Sequence, residues 1–135
     1  MRSMRSLMVA FFMVSAPIAS MAAQSVEAFV GLWEGVDPND GGHQILSIAD
    51  NGDGTVKLLL HDTTFTLCPT DEGVSEGTGI VQSNDDLKSA DFTLTCLATQ
   101  MPQAIPTTFH LENGVLHRIR ATPLRPVDYY RTSER

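Results

Sequence analysis

Three kinds of residue in this sequence could support chemistry: acidic side chains in two turns, four histidines and two cysteines. Residues 50–54 (DNGDG) superficially resemble a calcium loop, which in the EF-hand form needs oxygen ligands at positions 1, 3 and 5, then a glycine, and a glutamate at position 12. Counted from Asp50, position 3 is Gly52, which has no side-chain oxygen; counted from the next residue, position 6 is a valine. We therefore interpret residues 50–54 and 37–42 as turns, with a weak calcium site across both as the alternative.

The histidines do not form a recognisable metal motif. None stands in an H-E-x-x-H pattern or at zinc-ligand spacing from a cysteine. His110 and His117 flank the turn Asn113-Gly114, so they should face each other, or nearly so, across a hairpin. Two histidines are too few for a structural metal site. We therefore expect solvated strand histidines and neither a metal nor a cofactor. The four histidines are His43, His61, His110 and His117.

The sequence carries no catalytic signature. It has no G-x-S-x-G elbow, no phosphate-binding loop and no G-x-G-x-x-G motif, and Asp85-Asp86 falls in a segment that we predict to be a polar loop. We predict that the protein is not an enzyme. Arg118 and Arg120 share one strand face opposite Ile119; we interpret it as an outward, solvated face, with an anion or protein contact as the alternative.

The first 23 residues have the pattern of a secretory signal peptide. Arg2 and Arg5 precede an apolar run over residues 7–18, and small residues surround Ala22. The run is shorter than the about 20 residues that span a bilayer; an uncleaved anchor is the alternative. We predict a secreted or periplasmic protein in which residues 24–135 form one domain. The formal net charge of −7 argues against nucleic acid and against anionic membrane surfaces as partners.

Cys68 and Cys96 are the two cysteines, and in an oxidising compartment they should form one disulfide. Alternation places Cys96 on the same strand face as Phe92 and Leu94, whereas Cys68 falls on a threonine-rich face. A disulfide needs converging side chains, so we expect the chain to turn near Pro69 or to contain a bulge. Two buried free thiols are the alternative.

Period-two alternation between turn residues dominates the sequence after residue 24 and predicts an antiparallel, all-β fold. Short links in chain order favour an up-and-down barrel of about eight strands. An immunoglobulin-like sandwich is the competitor, but it would place a tryptophan between the two cysteines, and Trp33 precedes both. The predicted strands are 29–36, 43–49, 55–61, 63–68, 77–82, 90–98, 107–112, 115–122 and 127–131.

The same alternation predicts the core. Val56, Leu58 and Leu60 share one side of their strand, as do the phenylalanine and leucine of each of three later strands. The opposite sides carry threonines, which suits a sheet that curls around an apolar interior. These later pairs are Phe65 and Leu67, Phe92 and Leu94, and Phe109 and Leu111.

Gly31-Leu32-Trp33, at the start of the first predicted strand, resembles the G-x-W motif of lipocalins and the wider calycin group of small up-and-down barrels. The resemblance covers three residues and the strand count. It implies that Trp33 seals one end of the barrel, that Gly31 lets the chain bend there, and that an arginine from a late strand covers the tryptophan. Arg120 and Arg131 are both candidates for that arginine.

Two functional hypotheses follow from a small secreted barrel. The first is binding of a small apolar ligand inside the barrel. The second is binding of a secreted or periplasmic protein through an exposed loop, as in an inhibitor of a protease or a lysozyme. The identity of the ligand or target and the oligomeric state are left open by the sequence. The residues predicted to contact a ligand, or else to form a plain core, are Trp33, Leu58, Leu60, Phe65, Phe92, Leu94 and Phe109.

Overall fold

The computed structural model describes residues 25–70 and 72–132. The predicted signal peptide lies outside these residues. These described residues form one short helix, α1 (Val26–Phe29), and ten strands. The strands are β1 (Gly31–Val36), β2 (His43–Asp50), β3 (Thr55–Asp62), β4 (Gly73–Val81), β5 (Asp86–Ser89), β6 (Thr93–Cys96), β7 (Pro102–Ala104), β8 (Thr107–Glu112), β9 (Val115–Ile119) and β10 (Val127–Arg131).

These strands close into an antiparallel barrel, as predicted. β10 returns to pair with β1, and β3 pairs with β4, so the sheet has no break between its first and last members. β5 and β6 both pair with β4 and act as one interrupted strand, and β7 and β8 continue each other in the same way. Counted with each interrupted pair as one strand, the barrel therefore has eight strands in up-and-down order.

The interruption between β5 and β6 has a local cause. Asp91 lies at the bend, and its carboxylate Oδ1 accepts hydrogen bonds from the backbone N–H of Thr78 at 2.8 Å and from the hydroxyl of Ser89 at 3.1 Å. The side chain thus replaces a backbone carbonyl of the ladder and pairs the N–H of Thr78 where the strand bends. These hydrogen bonds, the one from Thr78 first, lower the pKa of the Asp91 carboxyl.

Two predictions about strands were wrong. Residues 63–68 form turns, so Leu67 is 57% exposed while Phe65 and Cys68 are buried. That turn moves Cys68 to the core side and permits the predicted disulfide to Cys96, with the two Cα atoms 5.3 Å apart. The predicted polar loop around Asp86 contains β5, whose inward position is taken by the fully buried Leu87.

The inner face of β4 carries small residues because its neighbours already fill the interior. A Cβ atom added to Gly79 would lie 2.8 Å from side-chain atoms of both Leu87 and Val56, and one added to Gly73 would lie 2.7 Å from Leu94. Packing at crystal-like density leaves no space for a side chain there. The glycine-rich sequence of this strand is therefore a consequence of how the core is filled.

The barrel has two different ends. α1 and the turns at 51–54 and 113–114 lie at one end, which we call the helix end. The connections 37–42, 63–70, 97–101 and 120–126 lie at the other, which we call the loop end. The disulfide joins the 63–70 connection to the last residue of β6 and so holds part of the loop end in place.

Candidate functional site

The most unusual side chain in the barrel is Arg118 on β9, which points inward at the loop end. It is only 4% exposed, and its guanidinium carbon lies 5.8 Å from the centre of the Phe92 ring. Nη2 donates to Thr107 Oγ1 at 3.4 Å, while Nε and Nη1 are buried and have no hydrogen-bond partner among the described residues. Burial lowers the pKa of this guanidinium. A buried cation with free donors is costly unless something pairs with it.

A cavity of about 230 Å³ opens beside this guanidinium. Its wall combines polar groups from β8, β9 and the 37–42 connection with apolar side chains from the other connections around the loop end. The apolar part includes Phe65, which the disulfide-linked 63–70 connection holds in place. Among its lining residues are Asp37, Phe65, Ile105, Thr107, Arg118 and Arg120.

The other arginine in the wall is already neutralised. Arg120 Nη2 lies 2.6 Å from Oδ2 of Asp37, whose side chain is 3% exposed. Asp37 Oδ1 also accepts from the backbone N–H of Asn39 at 2.8 Å. Arg120 and Asp37 pair with each other, and the other carboxylate in the wall, that of Asp40, accepts from the backbone N–H of Gly42 and the hydroxyl of Thr66. Arg118 is therefore the arginine of the described lining that has no ion-pair partner.

Asp62 lies near this end and is buried. It accepts from Gln44 Nε2 at 2.6 Å and from the backbone N–H of Thr64 at 2.9 Å. Burial raises the pKa of the Asp62 carboxyl, and the nearby charges of Asp40 and Asp37 raise it further, against the effect of the two hydrogen bonds. The carboxyl therefore holds its proton to a higher pH than a free aspartate.

Tyr129 on β10 completes the polar interior and donates its hydroxyl hydrogen to Gln44 Oε1. Burial raises the pKa of Tyr129 to about 12, and neighbouring Arg118 opposes that rise. The chain Tyr129–Gln44–Asp62 thus consists of groups that are hydrogen-bonded to one another inside the barrel. Arg118 keeps two nitrogens without a hydrogen-bond partner among the described residues, and Nε of Arg120 at the same end is also unpartnered.

The buried phenol gives a testable pH dependence. The protein has two tyrosines, so Tyr130→Phe leaves Tyr129 alone to titrate. We expect its phenolate absorbance to appear with a midpoint of about 12 in the folded protein and of about 10 in denaturant. The pKa of Tyr129 is higher in the folded protein than in the unfolded chain. The stabilisation linked to its protonation is therefore complete below pH about 10 and is lost as the pH rises toward 12. A folded midpoint near 10 would show that the phenol is not buried.

The residues predicted from the sequence to contact a ligand lie together in one core cluster. Six of them are 0% exposed and Phe65 is 7% exposed. Phe65 lines the loop-end cavity, and Phe92 lies under the Arg118 guanidinium. The six residues at 0% exposure are Trp33, Leu58, Leu60, Phe92, Leu94 and Phe109.

The helix end is closed by a compact arrangement around Trp33. The guanidinium of Arg131 lies 4.4 Å from the centre of the indole ring, a cation–π contact. Trp33 Nε1 donates to the carbonyl of Phe29 at 2.8 Å, and Arg131 donates to the carbonyls of Ala28 and Val30. Of the two candidate arginines, Arg131 is thus the one that lies over the tryptophan, while Arg120 lies at the loop end.

Gly31 is required where Arg131 crosses the chain. Its φ of 144° lies in the region that favours glycine, and a Cβ atom there would collide with Nη1 of Arg131. The glycine of the G-x-W motif therefore serves the contact between Arg131 and Trp33.

The prediction that Arg118 and Arg120 face solvent was wrong. They do share a face, but it is the face of the fully buried Leu116, and Ile119 between them is 51% exposed. The sequence contained a signal for this placement, since Leu116 stands two residues before Arg118 and therefore has the same strand parity. The expectation that arginine stays outside outweighed it.

Among residues 25–70 and 72–132, no group of three or more histidine, cysteine, aspartate or glutamate side chains is arranged to hold a metal ion. The helix described there is too short to cross a membrane. No protein-family model matches the sequence, and no curated protein or solved structure is significantly similar to it.

Proposed function

We propose that this protein binds a small organic anion of the carboxylate class in the loop-end cavity of an extracytoplasmic barrel. The observation that carries the proposal is Arg118, a buried guanidinium with two nitrogens that lack a partner among the described residues and a cavity of about 230 Å³ beside it. A carboxylate accepts two parallel hydrogen bonds along one edge of a guanidinium, here from Nη2 together with either Nε or Nη1, and such charge-assisted pairs are among the strong hydrogen bonds in proteins.

The size of the cavity supports a short ligand. Pockets for drug-sized ligands occupy about 300–1,000 Å³, so about 230 Å³ suits a carboxylate with a short carbon chain. Ile105 and Phe65 give the wall an apolar part that would contact such a chain. The aromatic ring of Phe92 lies against the guanidinium and helps to keep water from it.

We also propose that the barrel is lipocalin-like. This assignment is supported by the closed eight-stranded barrel, by Trp33 at the helix end and by Arg131 across its ring. The extracytoplasmic location is supported by the Cys68–Cys96 disulfide, since such bonds persist in oxidising compartments.

Titration of isotope-labelled protein with acetate, butyrate and hexanoate tests the proposal, with the matching neutral amides as controls. We expect saturable shifts of the backbone amides of Thr107 and Ala121 with the carboxylates only. Arg118→Met should weaken that binding roughly ten- to a hundredfold, because hydrogen bonds to charged groups contribute about 1.5–3 kcal/mol. Arg118→Met should not lower the free energy of unfolding, because methionine removes a buried charge without an ion-pair partner.

Arg125→Met is the matched control. Arg125 is an exposed arginine of the same loop end, so its removal changes the net charge equally without touching the cavity. Equal affinities of the Arg118→Met variant and the unaltered protein, or equal losses in the two variants, would overturn the assignment of the site. A destabilised Arg118→Met variant that binds normally would make Arg118 a purely structural residue.

A groove on the outer surface favours protein binding as a second candidate function. It encloses about 560 Å³ between β1, β10 and the connections next to them, and Val36 and Tyr130 along it are 57% and 60% exposed. Asn39 bonds to both the N–H and the carbonyl of Arg125, so the two connections brace each other. Inhibition assays with a lysozyme and a protease test this candidate. It would be favoured if the protein inhibited one of these enzymes, the Tyr130→Ala variant did not, and the Arg118→Met variant still did.

A further inference from the structure

A row of four polar side chains crosses the outer face of the barrel, one on each of four adjacent strands. In the ladder, Asp86 of β5 is directly opposite His110 of β8, His110 is opposite His117 of β9, and His117 is opposite Asp128 of β10. The row is outside because the residues on either side of it in sequence, such as Leu116 and Val127, are buried. We call this set the Asp-His-His-Asp row.

Each histidine contacts the aspartate on its neighbouring strand, on the side away from the other histidine. Nδ1 of His110 lies 2.8 Å from Oδ1 of Asp86, and Nδ1 of His117 lies 2.7 Å from Oδ1 of Asp128. An ionised carboxylate only accepts hydrogen bonds, so each Nδ1 carries the proton and each neutral ring keeps its lone pair on Nε2. Among the described residues, neither Nε2 has a hydrogen-bond partner.

The geometry of the imidazole ring turns the two Nε2 atoms toward one another. In this ring Nδ1 and Nε2 flank Cε1, and their bonding directions diverge widely in the ring plane. His110 has its Nδ1 edge toward β5, and His117 has its Nδ1 edge toward β10, so both Nε2 edges face the boundary between β8 and β9. Directly opposed residues on antiparallel strands have Cβ atoms about 4.5–5.5 Å apart, within reach of a shared ligand.

We propose that His110 and His117 form a binding site for one divalent transition-metal ion, with Nε2 of each ring as a ligand and water completing the coordination. Imidazole nitrogen suits Zn²⁺, Cu²⁺ and Ni²⁺, whereas Ca²⁺ and Mg²⁺ take oxygen ligands. Asp86 and Asp128 act as outer partners: hydrogen bonds from metal-binding histidines to carboxylates fix the ring orientation and raise ligand basicity. Their two negative charges also balance the charge of the ion.

The site differs from a structural metal centre. It has two protein ligands, consistent with the lack of any three-ligand group among the described residues, so we expect an exchangeable ion that the fold does not depend on. The side chains of His110 and His117 are 36% and 28% exposed, which leaves the ion open to water. The site lies on the outer face, so its metal binding is independent of the interior cavity and of the anion proposed there.

Isothermal titration of untagged protein with ZnCl₂ and with CuCl₂ tests the site. We expect one ion bound per chain, tighter Cu²⁺ than Zn²⁺ binding, and no competition from excess Ca²⁺. His110→Ala and His117→Ala should each weaken binding at least about tenfold, because either variant leaves a single imidazole. Asp128→Asn should weaken it about tenfold or more, as expected for an outer partner, without removing a ligand.

His61→Ala is the matched control, since His61 is an exposed histidine of β3 away from the row, and it should bind like the unaltered protein. The electron paramagnetic resonance spectrum of the Cu²⁺ form should show two coordinated nitrogens, reduced to one in either alanine variant. Binding that survives both alanine variants, a spectrum with one nitrogen in the unaltered protein, or no saturable binding of either metal would overturn the proposal.

Discussion

Trp33→Ala should lower the free energy of unfolding by about 3–5 kcal/mol, the range for deleting a buried large aromatic side chain. Trp33 is 0% exposed and is among the largest fully buried side chains in the described chain. Its removal would leave a cavity that the neighbouring strands, locked in the barrel ladder, have little freedom to fill. The loss of dispersion contacts on every side is the main part of the expected cost.

Trp33 also attaches α1 to the barrel. Its Nε1 bonds the carbonyl of Phe29, and Arg131 lies on its ring while bonding the carbonyls of Ala28 and Val30. In the alanine variant the Phe29 carbonyl loses its partner and the guanidinium loses the surface on which it rests. We therefore expect Trp33→Ala and Arg131→Ala to be non-additive, since the two side chains share one set of contacts.

Urea unfolding followed by far-ultraviolet circular dichroism measures this effect, because the variant has no tryptophan fluorescence. Tyr130→Ala is the matched control: it removes an aromatic residue that pairs with Glu34 next to Trp33 but is 60% exposed. Exposed substitutions of this kind change stability by about 0.5 kcal/mol or less. A loss below about 1 kcal/mol for Trp33→Ala, or equal losses in the two variants, would show that the indole does not seal the barrel.

The sequence predicted the architecture because alternation is a local property. Val56, Leu58 and Leu60 are each 0% exposed, as their spacing indicated, and the turn at 113–114 pairs His110 with His117 as expected. Each of these predictions depends on a few neighbouring residues and on the period of a strand. Barrel closure then follows from short connections in chain order.

The candidate site was harder to predict because it depends on residues that are distant in sequence. Arg118 meets Phe92, Thr107 and Tyr129 only after the barrel closes. Alternation divides a strand into two faces but does not say which face is inside when both carry large or charged residues. The segment 63–68 had the composition of a strand, and only the conflict in parity between its cysteine and Cys96 indicated that it turns.

Replacing both cysteines, in Cys68→Ser/Cys96→Ser, should lower the free energy of unfolding by about 3–4 kcal/mol. The disulfide spans a sequence separation of 28 residues, for which the chain-entropy model gives about 3.6 kcal/mol. The closed segment includes β4, β5, β6 and the bend at Asp91, so in the unfolded chain the crosslink restricts the residues that form two of the eight barrel strands. Cys68 and Cys96 are 4% and 6% exposed, so burial of two serine hydroxyls adds to the cost.

The crosslink should also matter for the cavity at the loop end. The 63–70 connection forms no strand pairing, and the disulfide ties it to β6 three residues after Phe65. Without that tie, Phe65 and Thr66 would no longer be held in the wall of the cavity. Butyrate binding should therefore weaken in the double variant under conditions where circular dichroism shows that the barrel remains folded.

Urea unfolding with and without a reducing agent separates the crosslink from the side chains. Reductant should destabilise the unaltered protein by about the chain-entropy amount and leave the double variant unchanged, because the variant has no bond to reduce. The remaining difference between the reduced protein and the double variant then measures the exchange of sulfur for oxygen in the core. If reductant left the free energy of unfolding of the unaltered protein unchanged although alkylation showed both thiols free, the disulfide would contribute no net stability and the prediction would be wrong. The bond would then matter only for the geometry of the loop end, which the butyrate titration measures directly.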